Sequence, residues 1–502
     1  MFRLFSAFAA RRPRFFTVSR IAPACAALSG AAFVAGCGGG NGGDAAPVSS
    51  TPFTQVKVPT LLARSVLPAD ASVEGPTSGQ YITGGDLAKA RAYGIALPLV
   101  GKQPIQGISA VAAGPVAGCY YAMQDNGFGS KASSPDALLH VYAVLVDAST
   151  QAVRPAEFTT CAPRASFDSS TFIRLRDPDR RLGFPLVADG AVYPGTPTSG
   201  GAAVAVDPLI RTQRLLTGSD LDIESIVVDA DGNFWFGEEF GPFLVKTDRT
   251  GKVLQREIPL PNGLALGGNP LVQTAGNPYI GNGVANLPTS GGIESLAIDP
   301  ARTRLFTLLE RELSTDPDKQ RRMLSVFDLR RNAFLPAPYA YRVGSGSYVN
   351  ETGATVAEVY TVNDMTAIND HEFLVLEKDR GAGDARTGLF PASGAARVAA
   401  RYKKVFRIDL NVRDAAGNLV KTEVVDLMNL ADPGRLGGAA TLQGVFTFPM
   451  ESVETVHILD ANTILVANDN NYPGGASARD PNKPDGNEFI LVGLPTALNL
   501  QK

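Results

Sequence analysis

The residues whose type and spacing suit them for chemistry are carboxylates at both ends of a recurring pattern. Glu224 opens one apolar run, and Glu238-Glu239 close the next. Glu294 opens ESLAIDPARTRLFTLLE, which closes at Glu310. Asp364 opens DMTAINDHEFLVLE, which closes at Glu377; Glu454 opens ETVHILDANTILVAND, which ends in Asn468-Asp469-Asn470. A fainter copy starts at Gln106-Gly107 and ends at Asp125-Asn126. Glu224 to Glu294 and Glu294 to Asp364 are both 70 positions. A fixed period of this kind marks repeated supersecondary units.

Carboxylates crowded together repel, and without a counter-charge some must take up protons. Calcium resolves the conflict, because it accepts roughly six to eight hard oxygen ligands. The expected ligands are Glu224, Glu238, Glu294, Asp364, Glu454, Asp469 and Asp125. Basic residues follow the acids: Arg311 comes after Glu310, and Lys378 and Arg380 after Glu377. A carboxylate-held cation beside Arg and Lys is the composition that holds a phosphate ester and stabilises its displacement by water. On this reading Glu239, Glu310 and Glu377 are catalytic, and Arg311, Lys378 and Arg380 bind substrate. The three histidines form no cluster with cysteine, which argues against a soft metal. The chain has no GxSxG elbow, no GxxxxGK[ST] loop, no HExxH and no dinucleotide fingerprint.

Hairpins must position these acids. Within 222–259 the apolar run 223–228, the turn Asp229-Ala230-Asp231-Gly232 and the run 233–237 read as a strand pair. Runs 243–248 and 253–259 supply two further strands. Four short antiparallel strands are one propeller blade. A hairpin puts the start of one strand beside the end of the next, so the paired acids meet opposite the turn. If such units circle an axis, the acids line one mouth of a central channel. Five hairpins are readable, at 106–125, 223–238, 293–310, 363–377 and 453–468, with a sixth, degenerate unit expected within 165–216. The last unit lacks a fourth strand, which 53–68 would supply, closing the circle and removing exposed edges. The expected fold is all-β: a propeller of six, or five, four-stranded blades over 53–502. Helical signal is scarce, and 86–93 is its best stretch.

Residues 1–36 read as a lipoprotein signal peptide. Five arginines (Arg3, Arg11, Arg12, Arg14, Arg20) and no acid precede a short apolar run that ends in Val34-Ala35-Gly36-Cys37, which resembles a lipobox. Cleavage before Cys37 would leave a lipidated cysteine on a Gly/Ala/Ser-rich tether, 37–52. It would also move the net charge from −3 to −8, because five positive charges leave. An acidic chain without a basic run argues against a nucleic-acid partner, and no later stretch is long enough to cross a bilayer. Membrane contact is therefore expected through the lipid alone. Gly38 lacks the aspartate of inner-membrane retention, which points to an outer-membrane lipoprotein on the periplasmic or cell-surface side. Cys119 and Cys161 remain, as a disulfide or as two buried thiols.

The stretches DIESIVVDADGNFWFGEEFGPFLVK, GGIESLAIDP…LLERE, NDMTAINDHEFLVLEKDR and ANDNNYPGG…NEF resemble the phytase-like family, labelled esterase-like activity of phytase. The resemblance covers roughly residues 100–495. It implies a propeller in secreted or lipid-anchored bacterial proteins and calcium-assisted hydrolysis of phosphate esters. Two other readings stand beside that one. The first is a non-catalytic, ligand- or protein-binding propeller with structural calcium; the second is a lactonase-like metal propeller. The expected partner is a small phosphorylated or ester substrate, and the expected state is a monomer.

Overall fold

The computed structural model describes residues 55–350, 352–388 and 398–501. The signal segment, Cys37 and the whole tether lie outside the described residues. Residues 47–502 make one compact unit.

All five expected hairpins are present and antiparallel. They pair Ile108–Ala113 with Cys119–Gln124, Ile223–Val228 with Phe234–Glu238, and Ile293–Ile298 with Arg304–Leu309. They further pair Thr361–Ala367 with Glu372–Lys378, and Ser452–Asp460 with Thr463–Asp469. The first strands of the hairpins pack on one another in chain order, and the fifth returns to the first. They enclose a channel: a cavity of about 180 Å³ at its turn-side end is lined by 110–113, 226–228, 296–298, 364–367 and 456–457. The fold is thus a β-propeller.

Each hairpin is extended outward by further strands, and Thr60–Leu67, which also bridges Ala152, joins the first and fifth into one sheet. Strands His140–Asp147 and Ala152–Pro155 extend the first, Phe243–Thr247 the second, and Arg321–Asp328 the third. Lys403–Arg413 and Leu419–Asp426 extend the fourth. The outermost strand of the second sheet is shorter than expected: only Ile258–Pro259 pairs, because the chain bends away after Val253 bridges Thr247. In the fifth sheet Asn487–Gly493 is followed by Thr60–Leu67, whose register runs from Thr60 opposite Gly493 to Leu67 opposite Asn487. The N-terminal strand therefore completes the last sheet, and its free edge disappears.

A separate apolar cluster fills each gap between sheets. Tyr121 meets Phe234 between the first and second, and Trp235 lies 5.6 Å from Phe327 between the second and third. Phe306 lies 4.6 Å from Phe373 between the third and fourth. Leu374, Val456 and Val466 fill the next gap, and Ala122, Tyr142 and Leu465 the last. Full burial of each large side chain contributes about 1.5–3 kcal/mol.

The degenerate unit expected within 165–216 is not a hairpin facing the axis. Phe172–Arg174 adds to the first sheet beside His140–Asp147, and Val187–Asp189 and Pro208–Gln213 are short helical turns. The stretch lacks two consecutive apolar runs with a turn between them, so it forms an outer loop layer. Cys161 reaches back from this layer to a disulfide with Cys119, with Cα atoms 6.2 Å apart. Helix α1, Gly84–Ala92, occupies the expected helical stretch.

Candidate metal centre and adjoining cavity

Every hairpin carries a register shift at the same place. It falls between Ile108 and Ala110, Ile223 and Ser225, Ile293 and Ser295, Val362 and Asp364, and Val453 and Thr455. The unpaired residues are Ser109, Glu224, Glu294, Asn363 and Glu454. A β-bulge re-aims the side chain of its extra residue. Five bulges on five strands around one channel therefore build an inner tier of oxygen-bearing side chains. Carboxylate oxygens of Glu224, Glu294 and Glu454 lie within 4.8 Å of one another. Asn363 Nδ2 donates to Glu294 Oε1 at 3.0 Å, and the Ser109 side chain hydrogen-bonds Glu454.

A second tier follows from the same register. The residues before the bulges pair with Gln124, Glu238, Leu309, Glu377 and Asn468, and the next residue in each case is Asp125, Glu239, Glu310, Lys378 and Asp469 in turn. Asp222, one residue before the second hairpin, joins them: its carboxylate, with those of Glu224 and Glu239, forms another group within 4.8 Å. Asn126 Nδ2 donates to Asp222 Oδ1 at 2.7 Å. In the first hairpin Gly107 has φ +60°, and a Cβ there would run into Asp125 Oδ1. Glycine thus clears the space that the Asp125 carboxylate occupies.

Burial, and after it neighbouring carboxylates, pushes Asp125, Glu224, Glu239 and Glu294 well above the ordinary range. Burial and Glu454 do the same to Asp469. Burial raises Asp222 to about 6. The Lys378 ammonium opposes this trend at Glu294, Glu454 and Asp469. The cluster is therefore a concentration of negative charge that Lys378 on one side, and Arg311 beside Glu310, offset only in part.

Seven of the acids expected from sequence come together here: Asp125, Glu224, Glu239, Glu294, Glu310, Glu454 and Asp469. Three do not. Asp364 was expected as a ligand, but its carboxylate accepts from Met365 N and Val456 N, both at 2.7 Å, and ties the fourth sheet to the fifth. The bulge gives its place to Asn363. Glu238 accepts from the backbone N of Phe240 and Gly241 at 2.7 Å and pins the following loop. Glu377 was expected to be catalytic, but it sits one residue short of the second tier. Tyr341, Lys421, Tyr402 and the Gly344 backbone N all donate to it, which turns it towards the outer strands. Lys378 holds the position that Glu377 was expected to hold.

Among the basic residues, Arg311 Nε pairs with Glu310 Oε2 at 3.2 Å. Lys378 and Arg380 line a cavity of about 340 Å³ that also touches Asp125 and Glu451. Asp86 and Lys89 of α1 roof it, together with Tyr472–Gly475. Arg380 Nη1 donates to Tyr348 Oη at 3.2 Å. Sequence reasoning missed Asp222, Ser109, Asn363, Glu451 and Lys89. Asp222 was visible as an acid two residues from Glu224. Lys89 and Glu451 carry no signal at all before the chain is folded.

The side chains present fit a hard cation. The cluster offers several carboxylate oxygens and the Ser109 hydroxyl, within the donor set of calcium. Glu239 Oε1 is buried without a hydrogen-bond partner among the described residues. A buried acceptor left without a donor costs about 1–3 kcal/mol, and a cation would satisfy it.

A family model described as "Phytase-like: Esterase-like activity of phytase" matches residues 103–472. A protein of Arthroderma benhamiae named "Uncharacterized secreted protein" is 27% identical over 236 residues, which are 42% of this chain and 45% of that protein. The chain thus matches less than half the length of that curated relative. Among solved structures, the Dos1 propeller gives a TM-score of 0.25 at 8% identity, covering 78% of this chain and 69% of its own. The PQQ-bound aldose sugar dehydrogenase of Streptomyces coelicolor gives 0.27 at 11%, covering 88% and 100%. With its ordered motifs on the hairpins and the family model spanning most of the propeller, the chain belongs to the phytase-like family, that of esterase-like activity of phytase.

Proposed function

We propose that this protein is a calcium-dependent hydrolase of phosphate esters, working at the carboxylate-lined mouth of the propeller. One observation carries the reading: an oxygen-only cluster with an unsatisfied Glu239 oxygen adjoins a cavity in which Lys378 and Arg380 face Asp125. Asp222, Glu224, Glu294 and Glu454 would hold the cation, which when bound would supply positive charge to the phosphoryl oxygens. Lys378 and Arg380 bind and orient the anion. Glu239, one oxygen of which has no hydrogen-bond partner among the described residues, takes the proton from the attacking water as the phosphorus–oxygen bond to the alcohol breaks. Arg311 holds Glu310 in place at the rim. The lipobox at Cys37 and the secreted relative support a secreted protein held to the outer membrane by an acylated Cys37. Its partner would be a small ester, and it would act as a monomer.

The experiment is hydrolysis of p-nitrophenyl phosphate and phytate by the mature protein, with calcium or with chelator. Chelator should abolish turnover. E239Q should lower kcat about 100-fold, the usual range for a lost general base. K378M should raise KM about tenfold through the lost charge-assisted contact.

A second reading is a binding propeller with a structural cation, and the roof formed by α1 and Tyr472–Gly475 favours it. If calcium raises Tm while no ester is hydrolysed, that reading replaces the first.

A further inference from the structure

The loop layer that stands where a sixth unit was expected walls one side of a cavity of about 670 Å³. Small-molecule pockets run to roughly 300–1,000 Å³, mostly apolar with a few placed polar groups. Phe184, Leu186, Val187 and Tyr193 wall this one, and all four are buried.

Its polar groups are unequal. Asp220 is fully engaged: Oδ1 accepts from Val187 N at 2.8 Å, and Oδ2 from Thr217 N at 2.8 Å and Thr217 Oγ1 at 2.9 Å. Lys131 stands exposed at the edge, its Nζ 5.1 Å from the Phe240 ring centroid and donating to Gly276 O at 3.2 Å. An ammonium has three donors, so two remain for a ligand. Lys131 is thus the charged group of the lining with donors to spare, while the Asp220 carboxylate keeps its negative charge but is buried and hydrogen-bonded.

We infer that this cavity binds a small amphipathic anion, an aromatic ring or short apolar chain with one acidic group, whose body lies against Phe184, Leu186, Val187 and Tyr193 and whose charge meets Lys131. The site is separate from the cation cluster and does not depend on hydrolysis.

Titrating the mature protein with 8-anilinonaphthalene-1-sulfonate, an aromatic body with one sulfonate, tests it by fluorescence. The expected result is saturable one-to-one binding that persists in chelator. Ala132 and Val192 line the cavity at exposed positions, so A132W and V192W fill it without disturbing the core. Each should weaken binding about tenfold or more at unchanged Tm, a loss equivalent to roughly 1.4 kcal/mol. K131Q should weaken the sulfonate several-fold and leave the neutral N-phenyl-1-naphthylamine unaffected. Non-saturable binding by the folded protein, or binding indifferent to both tryptophans, overturns the site. Equal loss of both probes in K131Q overturns the anionic part of the ligand.

Discussion

Replacing Asn363 by Asp adds a fourth carboxylate to the inner tier, directly against Glu294. N363D should tighten calcium binding several-fold, read by calorimetry, and lower the stability of the calcium-free protein at pH 8. The neighbouring D364N should do the opposite kind of thing. One oxygen of Asp364 serves Met365 N and the other serves Val456 N. An amide NH₂ in place of either oxygen leaves a buried N–H unsatisfied, at about 1–3 kcal/mol. Calcium affinity should stay unchanged, and equal effects of the two variants on affinity would remove Asn363 from the ring. The pH dependence has a definite sign. Asp125, Glu224, Glu239, Glu294 and Asp469 are raised, as is Asp222 to about 6, so in the absence of a cation the folded state holds protons that the unfolded chain releases. Their contribution is present below the ordinary carboxylate range and is lost as pH climbs through about 6 and beyond. In chelator, Tm should therefore be lower at pH 8 than at pH 5, and calcium should raise it more at pH 8. A calcium effect equal at both pH values would show that the cation binds elsewhere.

At the level of elements, the hairpins were legible because their signals are local. Asp229 to Gly232 and Asp299 to Arg302 are short turns between apolar runs, and turn chemistry of that kind fixes a strand pair. The bulges were not legible. Counting 70 positions from Glu294 lands on Asp364, whereas the bulged residue, Asn363, lies 69 positions on; reading the last acid of the run as its end likewise picks Glu377 instead of Lys378. Both misplacements lie in the fourth hairpin, where an acid happens to stand one residue from the true position. The same shift explains Gly107. Sequence alignment by acids made the first repeat look incomplete, whereas Ser109 is its bulged residue and Asp125 fills the space above Gly107. The roof of the cavity comes from α1 and from 472–475, elements far apart in sequence. Only tertiary packing brings them over Lys378, so no spacing rule reveals them.

At the scale of the whole molecule, the closure of the ring was readable from a deficit: the last unit was one strand short, and an N-terminal apolar run had no unit of its own. Thr60–Leu67 fills that gap along its full length, with Arg64 bonded to Glu488 at 2.9 Å through Nε. Leu61 and Leu67 are 2% exposed, and each contributes about 1.5–3 kcal/mol by burial. Together with the edge it covers, this strand supplies a large part of a stability that totals about 5–15 kcal/mol in ordinary proteins. A chain beginning at Pro68 should be insoluble or unfold with a much lower Tm, while one beginning at Gln55 should match the longer protein by circular dichroism. Equal Tm for the two would mean that the ring holds without its fastening.

That fastening joins a segment made early to one made late. Residues 60–67, held early only by a bridge from Val66 to Ala152, must wait for their full partner until Asn487–Gly493 has left the ribosome. Until then the propeller is a horseshoe with two sticky ends, open to proteases and to neighbouring copies. The vulnerable interval is therefore the time before Asn487–Gly493 is available, and a chaperone that holds unfolded chains would find its binding site on those two ends.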